Sequence, residues 1–320
     1  MIEISVVIPA FNRAHLIGEA IESVLSQETD SSFEIVVSDD GSTDGTADVA
    51  RSYGDRVRVL PSRENHGGAA ARNIGIRAAH GELIALLDSD DTMLPGRLRV
   101  QADYLRRHPA VGLVSSAVVH ERGEPPEHYF RLRGLEIPRG EWRRLERPLP
   151  HVIRGFIANS SATTARRSIL IQAGLYDETL FNPDLELLVR MARLTQFACC
   201  NLPLGWIRAP RDGEPVPPSE RGLARARQAW CKILRDTPEL EPEDRLAIQA
   251  KISGSYLNYF AYLYFRREGR ALREAISDCE GERGLDPTIL RKWRLISRIP
   301  LGLGQALLAW KPTASGAATT

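Results

Sequence analysis

Three carboxylates close an apolar run in Leu86-Leu87-Asp88-Ser89-Asp90-Asp91, just ahead of Thr92-Met93-Leu94-Pro95. Carboxylates this close repel one another, so the cluster is costly unless a cation joins it. Hard divalent ions such as Mg²⁺ and Mn²⁺ take oxygen ligands, often one or two carboxylates together with phosphate oxygens. Asp88 and Asp90 stand two residues apart, which puts both on one side of an extended segment. The pair reads as a clamp for a metal ion and a diphosphate, with Asp91 in a supporting or helix-capping place.

A second acidic loop, Ser38-Asp39-Asp40-Gly41-Ser42-Thr43-Asp44, follows the apolar run Phe33 to Val37. A carboxylate at such a strand end can accept a hydrogen bond from the imide N–H of uracil or from a ribose hydroxyl. The same residues also suit a plain turn with a helix cap. Asp39 is the candidate ligand and Asp44 the candidate cap. Arg72 and Asn73 lie on a helix opening at Gly67-Gly68, where a guanidinium can pair with phosphate in bidentate fashion. No G-x-G-x-x-G follows the first strand, and GxxxxGK[ST] is absent. The chain is therefore neither a plain dehydrogenase nor a P-loop NTPase, and metal-assisted binding remains as the way to hold a diphosphate.

The elements that must position these groups follow from periodicity. Ile4 to Ile8 is a β-branched run of the kind buried on both faces. Leu16, Ile17, Ala20, Ile21, Val24 and Leu25 recur at three-to-four spacing and predict a helix over 14–27. Further helices are expected over 44–53, 67–80 and 95–107. Strands are expected at 33–37, 57–60, 83–87 and 111–114. Strands alternating with helices at this pace make a parallel α/β sheet. In such sheets ligands bind outside the carboxyl ends of the strands, which selects the loops Pro9–Arg13, Asp39–Gly45 and Asp88–Asp91. From 119 to 151 the pattern breaks into an Arg-, Glu-, Pro- and Gly-rich stretch, either a loop region over the crevice or a small β excursion. Helices are expected again at 167–174 and 184–193.

The 320 residues, 43% hydrophobic and 26% charged, suit one large domain with an appendage. A net charge of +1 argues against nucleic acid as a partner. Cys199, Cys200, Cys231 and Cys279 show no metal spacing and read as idle thiols in a reducing compartment. The amino terminus lacks the basic region of a signal peptide, and no stretch reaches about 18 apolar residues, so a cytoplasmic location is expected. The expected organisation is an α/β domain over 1–212 that carries the ligand-facing loops, a helical region over 213–311 and a disordered tail over 312–320.

Ser5-Val6-Val7-Ile8-Pro9-Ala10-Phe11-Asn12-Arg13, the Asp39–Asp44 loop, Gly67-Gly68-Ala69-Ala70-Ala71-Arg72-Asn73-Ile74-Gly75 and Leu87–Asp91 occur in that order. Over about residues 3–200 the chain resembles the family 2 glycosyltransferases of the GT-A fold, a Rossmann-like, mostly parallel twisted sheet flanked by helices. The resemblance implies inverting transfer from a nucleoside-diphosphate-sugar, a UDP-sugar foremost, to a hydroxyl on a glycan, lipid-linked or protein acceptor, with Mn²⁺ or Mg²⁺. It implies that Pro9 and Phe11 line the base, that Asp39 contacts it and that Arg72 lies near the donor. Asp88 would sit near ribose or metal, and Asp90 would ligate the metal directly. In relatives the base is the Asp of a Glu-Asp pair; the matching Asn182-Pro183-Asp184-Leu185-Glu186 places Asp184 there, with Pro183 replacing the usual Glu. Where relatives carry Tyr-Arg-x-His, this chain has Trp206-Ile207-Arg208-Ala209-Pro210, without the His. Those two departures keep open a non-catalytic nucleotide-sugar-binding relative, or a helical scaffold partner.

Residues 220–310 are helical in pattern, with an aromatic stripe at Tyr256, Tyr259, Phe260, Tyr262, Leu263 and Phe265 that reads as helix packing. Arg291, Lys292, Arg294 and Arg298 precede an uncharged run over 299–310 flanked by Trp293 and Trp310. That segment either lies on an anionic membrane surface, at the inner face, or packs back on the helices.

Overall fold

The computed structural model describes residues 2–122, 125–155, 157–180, 183–209, 220–265, 269–278 and 287–298. The chain divides into two compact units, Met1–Val216 and Pro217–Thr320.

In the first unit, β1 (Ile4–Ala10), β2 (Phe33–Asp39), β3 (Val57–Pro61) and β4 (Leu83–Leu86) form a parallel array in the order β3-β2-β1-β4. All seven residues of β1 are buried, as a strand covered on both faces requires. The register sets Ala10 beside Asp39 and Val7 beside Leu86. The carboxyl ends of β1, β2 and β4 therefore open on one edge. Helices α1 (Ile17–Leu25), α2 (Thr46–Arg51) and α3 (Gly68–Ala78) connect these strands. The apolar stripe of α1 (Ile17, Ala20, Ile21, Val24) joins the core under β1 and β2. A Cβ on Gly75 would run into Val7, so only glycine there lets α3 settle this close to β1.

Beyond β4 come β5 (Thr92–Met93), α4 (Arg97–Arg107), β6 (Val111–His120), β7 (Trp142–Leu145), α5 (Leu149–Gly155), β8 (Thr163–Arg166), α6 (Arg167–Gln172), α7 (Asp184–Ala192) and β9 (Gln196–Ile207). The sheet runs on as β4-β8-β6-β9-β5, with β8 antiparallel to both β4 and β6. The stretch from 119 to 151 is the β excursion: two 3₁₀ turns lead to β7, which pairs antiparallel with β9. Its Trp142 stacks on Tyr104 of α4 with ring centroids 3.8 Å apart. Cys199 and Cys200 are buried in β9, and burial pushes the Cys200 thiol up to about 11.

The second unit contains α8 (Glu220–Asp236), α9 (Pro242–Phe265), α10 (Gly269–Asp278) and α11 (Pro287–Ile296). Of the aromatic stripe, Tyr256 and Phe260 are buried and lie 5.8 Å apart, and Trp293 sits 5.7 Å from Phe260 and 6.3 Å from the neighbouring Tyr264; the side chains of Tyr259, Tyr262, Leu263 and Phe265 lie outside those described. Trp293 is thus 2% exposed, and at this residue the second alternative, packing back on the helices, holds. The remainder of that expectation, residues 299–310, lies outside the described residues, as do Pro210 and the tail. No described helix is long and apolar enough to cross a membrane.

Candidate functional site

A crevice of about 480 Å³ opens at the carboxyl ends of the parallel strands, within the range of small-molecule sites. Pro9, Phe11, Arg72, Asp88 and Asp90 all line it, joined by Arg13 and Asn65. Phe11 is 42% exposed, a large apolar ring left open where β1 ends. A ring in that state is available to a flat, apolar-faced ligand.

The two acids of the second loop have separate duties. Asp40 accepts backbone N–H bonds from His66 (2.9 Å) and Gly67 (2.8 Å), so it fixes the turn that starts α3. Asp39 is 3% exposed; its Oδ2 takes a long bond from the Ser42 amide (3.4 Å), while its Oδ1 is buried without a partner. A buried oxygen left unsatisfied is costly unless a donor arrives. Asp44 accepts from the Thr46 amide (3.0 Å) at the start of α2 and from the Ala14 amide (3.0 Å).

The acidic run after β4 is wired to cations. Arg72 donates to Asp88 Oδ1 at 2.6 Å, and its guanidinium stands 5.6 Å from the Tyr176 ring. Burial works against its charge, but Asp88 and Asp184 outweigh that and raise the Arg72 pKa above its ordinary value. The Nε of Arg72 is buried without a partner. Asp90 is 37% exposed at its side chain and lies 3.7 Å from Arg13. Asp91 is buried, with Ser161 Oγ donating to it at 2.5 Å and the Arg208 amide at 3.0 Å. Burial, then the Asp88 and Asp90 carboxylates, push the Asp91 carboxyl up to about 7 against those two hydrogen bonds. Arg208 further donates from Nε to the Asp90 carbonyl (3.1 Å) and pairs with Glu19 (2.5 Å), fastening this loop to the end of β9.

Asp184 occupies the first turn of α7, where its Oδ1 accepts from Ser160 Oγ at 3.0 Å. It does not line the crevice, but it is close enough to Arg72 and Tyr176 to act on the charge state of both. Asp184, Ser160 and Tyr176 border a small apolar cavity of about 30 Å³. Glu186 is 5% exposed and held by Arg190 through two bonds of 2.8 and 2.5 Å. Arg190 also donates to the carbonyls of Ala173 and Leu175, so Glu186 anchors the turn that carries Tyr176. Asn73 grips the same turn, bonding both the N–H and the C=O of Tyr176 at 2.9 Å.

Sequence reasoning missed Arg97, Ser160 and Ser161, and did not connect Tyr176 to Arg72. Arg97 looks like a surface residue of a helix, yet it is fully buried. It donates to the carbonyls of Leu86 (2.8 Å), Thr163 (2.9 Å) and Ser161. Burial brings its pKa down to about 9, with Asp91 and Asp88 pulling the other way. Nothing in the sequence marks the pair Ser160-Ser161. Among the described residues no three His, Cys, Asp or Glu side chains are placed to hold a cation unaided. Asp88 and Asp90 on the crevice wall, with two oxygens of a diphosphate, make a hard-oxygen set that fits Mg²⁺ or Mn²⁺. The fit therefore requires the nucleotide.

The model of glycosyl transferase family 2 matches residues 5–168. The succinoglycan biosynthesis protein ExoU of Rhizobium meliloti is 44% identical over 99 residues, 30% of this chain and 28% of that protein. Glycosyltransferase GlyG of Streptococcus pneumoniae is 46% identical over 138 residues, 42% of this chain and 45% of that protein. The matched segments thus span less than half of either relative. Among solved structures, S. aureus TarS 1–349 with UDP-GlcNAc superposes with a TM-score of 0.65 at 19% identity, covering 96% of this chain and 88% of that one. The mannosyltransferase PcManGT of Pyrobaculum calidifontis, with GDP-Man and Mn²⁺, gives 0.59 at 21% identity, covering 97% and 81%. At such identities the likeness is one of fold, and the fold is GT-A.

Proposed function

Because the chain belongs to glycosyl transferase family 2, we propose that it moves a sugar from a nucleoside-diphosphate-sugar to a hydroxyl acceptor with inversion, in the synthesis of a surface polysaccharide or glycoconjugate. The observation that carries this reading is the placement of Arg72, bonded to Asp88 at 2.6 Å on the crevice wall and within the field of Asp184. On this reading the arginine links a donor diphosphate on the crevice side to a base at Asp184. The ExoU and TarS likenesses support a polysaccharide product and a UDP-sugar donor.

Phe11 and Pro9, on the crevice wall, receive the base; Asp39 is outside that lining, and its buried Oδ1 accepts the base N–H only if the base reaches past the wall. Arg72 turns toward the diphosphate, and Asp88 and Asp90 would hold the divalent ion. When bound, that ion supplies positive charge to the departing diphosphate. Asp184 takes the proton of the acceptor hydroxyl as its oxygen bonds to the anomeric carbon. The bond from that carbon to the diphosphate breaks, and its electron pair leaves with the nucleotide.

Pro183 favours one second reading, a binder without turnover, since its ring gives Asp184 no neighbouring acid. The test is nucleoside-diphosphate release from a panel of donors with Mn²⁺, for the wild type and Asp184→Asn. Transfer is expected from the wild type alone. Equal release from both removes Asp184 as base, and UDP binding without release from any donor establishes the binder.

A further inference from the structure

Two adjacent serines sit where the halves of the site meet. The turn Ser160–Ala162 is capped by Asn159, whose Oδ1 accepts the Ser161 amide at 2.9 Å. Ser160 Oγ donates to Asp184 at 3.0 Å. Ser161 Oγ donates to Asp91 at 2.5 Å and accepts the Asp88 amide at 3.0 Å. The turn itself is immobilised by α4: Arg97 takes the carbonyls of Ser161 and Thr163, and Gln101 takes that of Ala162 at 2.8 Å. A buried arginine with three carbonyl acceptors on two segments has little freedom, and neither has the turn it holds.

The start of α7 gives Asp184 no such support from its own neighbourhood. Pro183 is the residue before the helix, its ring has no hydrogen-bonding group, and α7 has no side-chain cap bond. An exposed carboxylate in a first helical turn would swing toward the free N–H groups of that turn. Asp184 instead accepts from Ser160 Oγ.

We propose that Ser160 and Ser161 are positioning residues that set the base against the donor loop, Ser160 aiming Asp184 and Ser161 holding the Asp88–Asp91 loop in shape. Ser160 replaces, from 24 residues upstream, the support that Pro183 withholds. One clamped turn thereby gives the acceptor and donor sides a common reference. The inference rests on Asp184 as base, so its test separates the two.

Ser160→Ala, Ser160→Thr and Ser161→Ala are compared in the full chain by donor kinetics, by calorimetry with UDP and Mn²⁺, and by thermal melting. A hydrogen bond to a charged group is worth roughly tenfold or more. Ser160→Ala is expected to lower kcat about tenfold with UDP affinity and donor KM within about twofold, and Ser160→Thr to restore most of the loss. In an Asp184→Asn background Ser160→Ala adds nothing, because its effect passes through that carboxylate. Ser161→Ala is expected to weaken UDP binding about tenfold. Full kcat in Ser160→Ala, with Asp184→Asn inactive, overturns the role of Ser160 and leaves the transferase reading standing. Equal weakening of UDP binding by both serine variants overturns the division of labour. A wild type that releases nucleotide from no donor removes the transferase reading and the part of Ser160 with it, while the part of Ser161 still stands or falls on UDP binding.

Discussion

The β1–β2 end of the crevice and the region of α7 and the acidic loop are held by different kinds of bond. Around β1 and β2, side chains reach across to backbone amides of the neighbouring loop: Asn12 Oδ1 accepts from Thr43 (2.9 Å), and Asp40 accepts from His66 and Gly67. These partners are 26 to 31 residues apart, one βα unit. Around α7 and the acidic loop the links run through buried side chains from remote segments. Ser161 meets Asp91 across 70 residues, and the Arg208 amide meets Asp91 across 117. A half that is stapled loop to loop keeps its geometry when distant parts shift. A half that depends on remote side chains can be undone from far away. The β1–β2 end should therefore keep its shape under damage that silences transfer.

The sharpest test of that contrast is Asp184→Asn. Loss of a general base costs roughly 10²- to 10⁴-fold in kcat, with UDP affinity unchanged. Steady-state kinetics beside calorimetry decide it, and a parallel loss of UDP binding would show that the halves are not separable.

Arg97→Met is next. It strips the donors from carbonyls of Leu86, Ser161 and Thr163, which then stay buried and unsatisfied. A loss of about 3 kcal/mol is expected, measured by urea unfolding. The residual folded protein should lose transfer and also bind UDP more weakly, because the turn that Arg97 holds carries both Ser160 and Ser161. A stability change under about 1 kcal/mol would show that the turn does not depend on Arg97.

The same division explains what the sequence disclosed. Strands β1, β2 and β4 announce themselves by apolar runs, and acidic or polar residues follow each within a few positions. Asp39, Asp88 and Asp90 could be named as candidates for that reason; Asp88 and Asp90 line the crevice, and Asp39 is buried outside its lining. Strand β8, with sequence Thr163-Thr164-Ala165-Arg166, has the composition of a loop and becomes a strand by pairing with β4 and β6. β9 carries Pro203 and Asn201 within its run and was equally silent. Ser160 and Ser161 acquire meaning only when those pairings bring them to Asp184 and Asp91. Arg97 reads as solvated because its acceptors, but for Leu86, come from a turn more than 60 residues away. Periodicity reports local burial, and none of these is local.

Asp39→Ala probes the β1–β2 end directly. Its Oδ1 has no partner among the described residues and its Oδ2 only a long bond from the Ser42 amide, so removal costs the fold little and falls on the ligand. UDP affinity should drop about tenfold, roughly the worth of one hydrogen bond to a charged group, with the melting temperature nearly unchanged. An unaltered affinity would move the base contact elsewhere in the crevice.

Glu34→Gln is the smallest effect and separates the stability of β1 and β2 from UDP binding. Glu34 lies at the strand end away from the crevice, where it ties β2 to its neighbours. It accepts from Ser5 Oγ (2.6 Å), from the His80 amide (2.7 Å) and from Arg58 (3.0 Å). Burial alone would raise its pKa; the Ser5 hydroxyl, the His80 amide and the Arg58 charge together bring it below the ordinary 4.5. A carboxylate with a depressed folded pKa stabilises fully above its unfolded value, and that stability disappears as pH falls through the folded one. At pH 7 the variant should be about 1 kcal/mol less stable, some 2–4 °C in melting temperature. The gap should close as the pH drops below about 4.5, because the wild-type carboxylate then protonates too. UDP affinity at pH 7 should stay the same throughout, since the loops that face the ligand are stapled to one another and not to Glu34. A fall in UDP affinity with the fall in stability would mean that the crevice end and the far end of the strands act as one body.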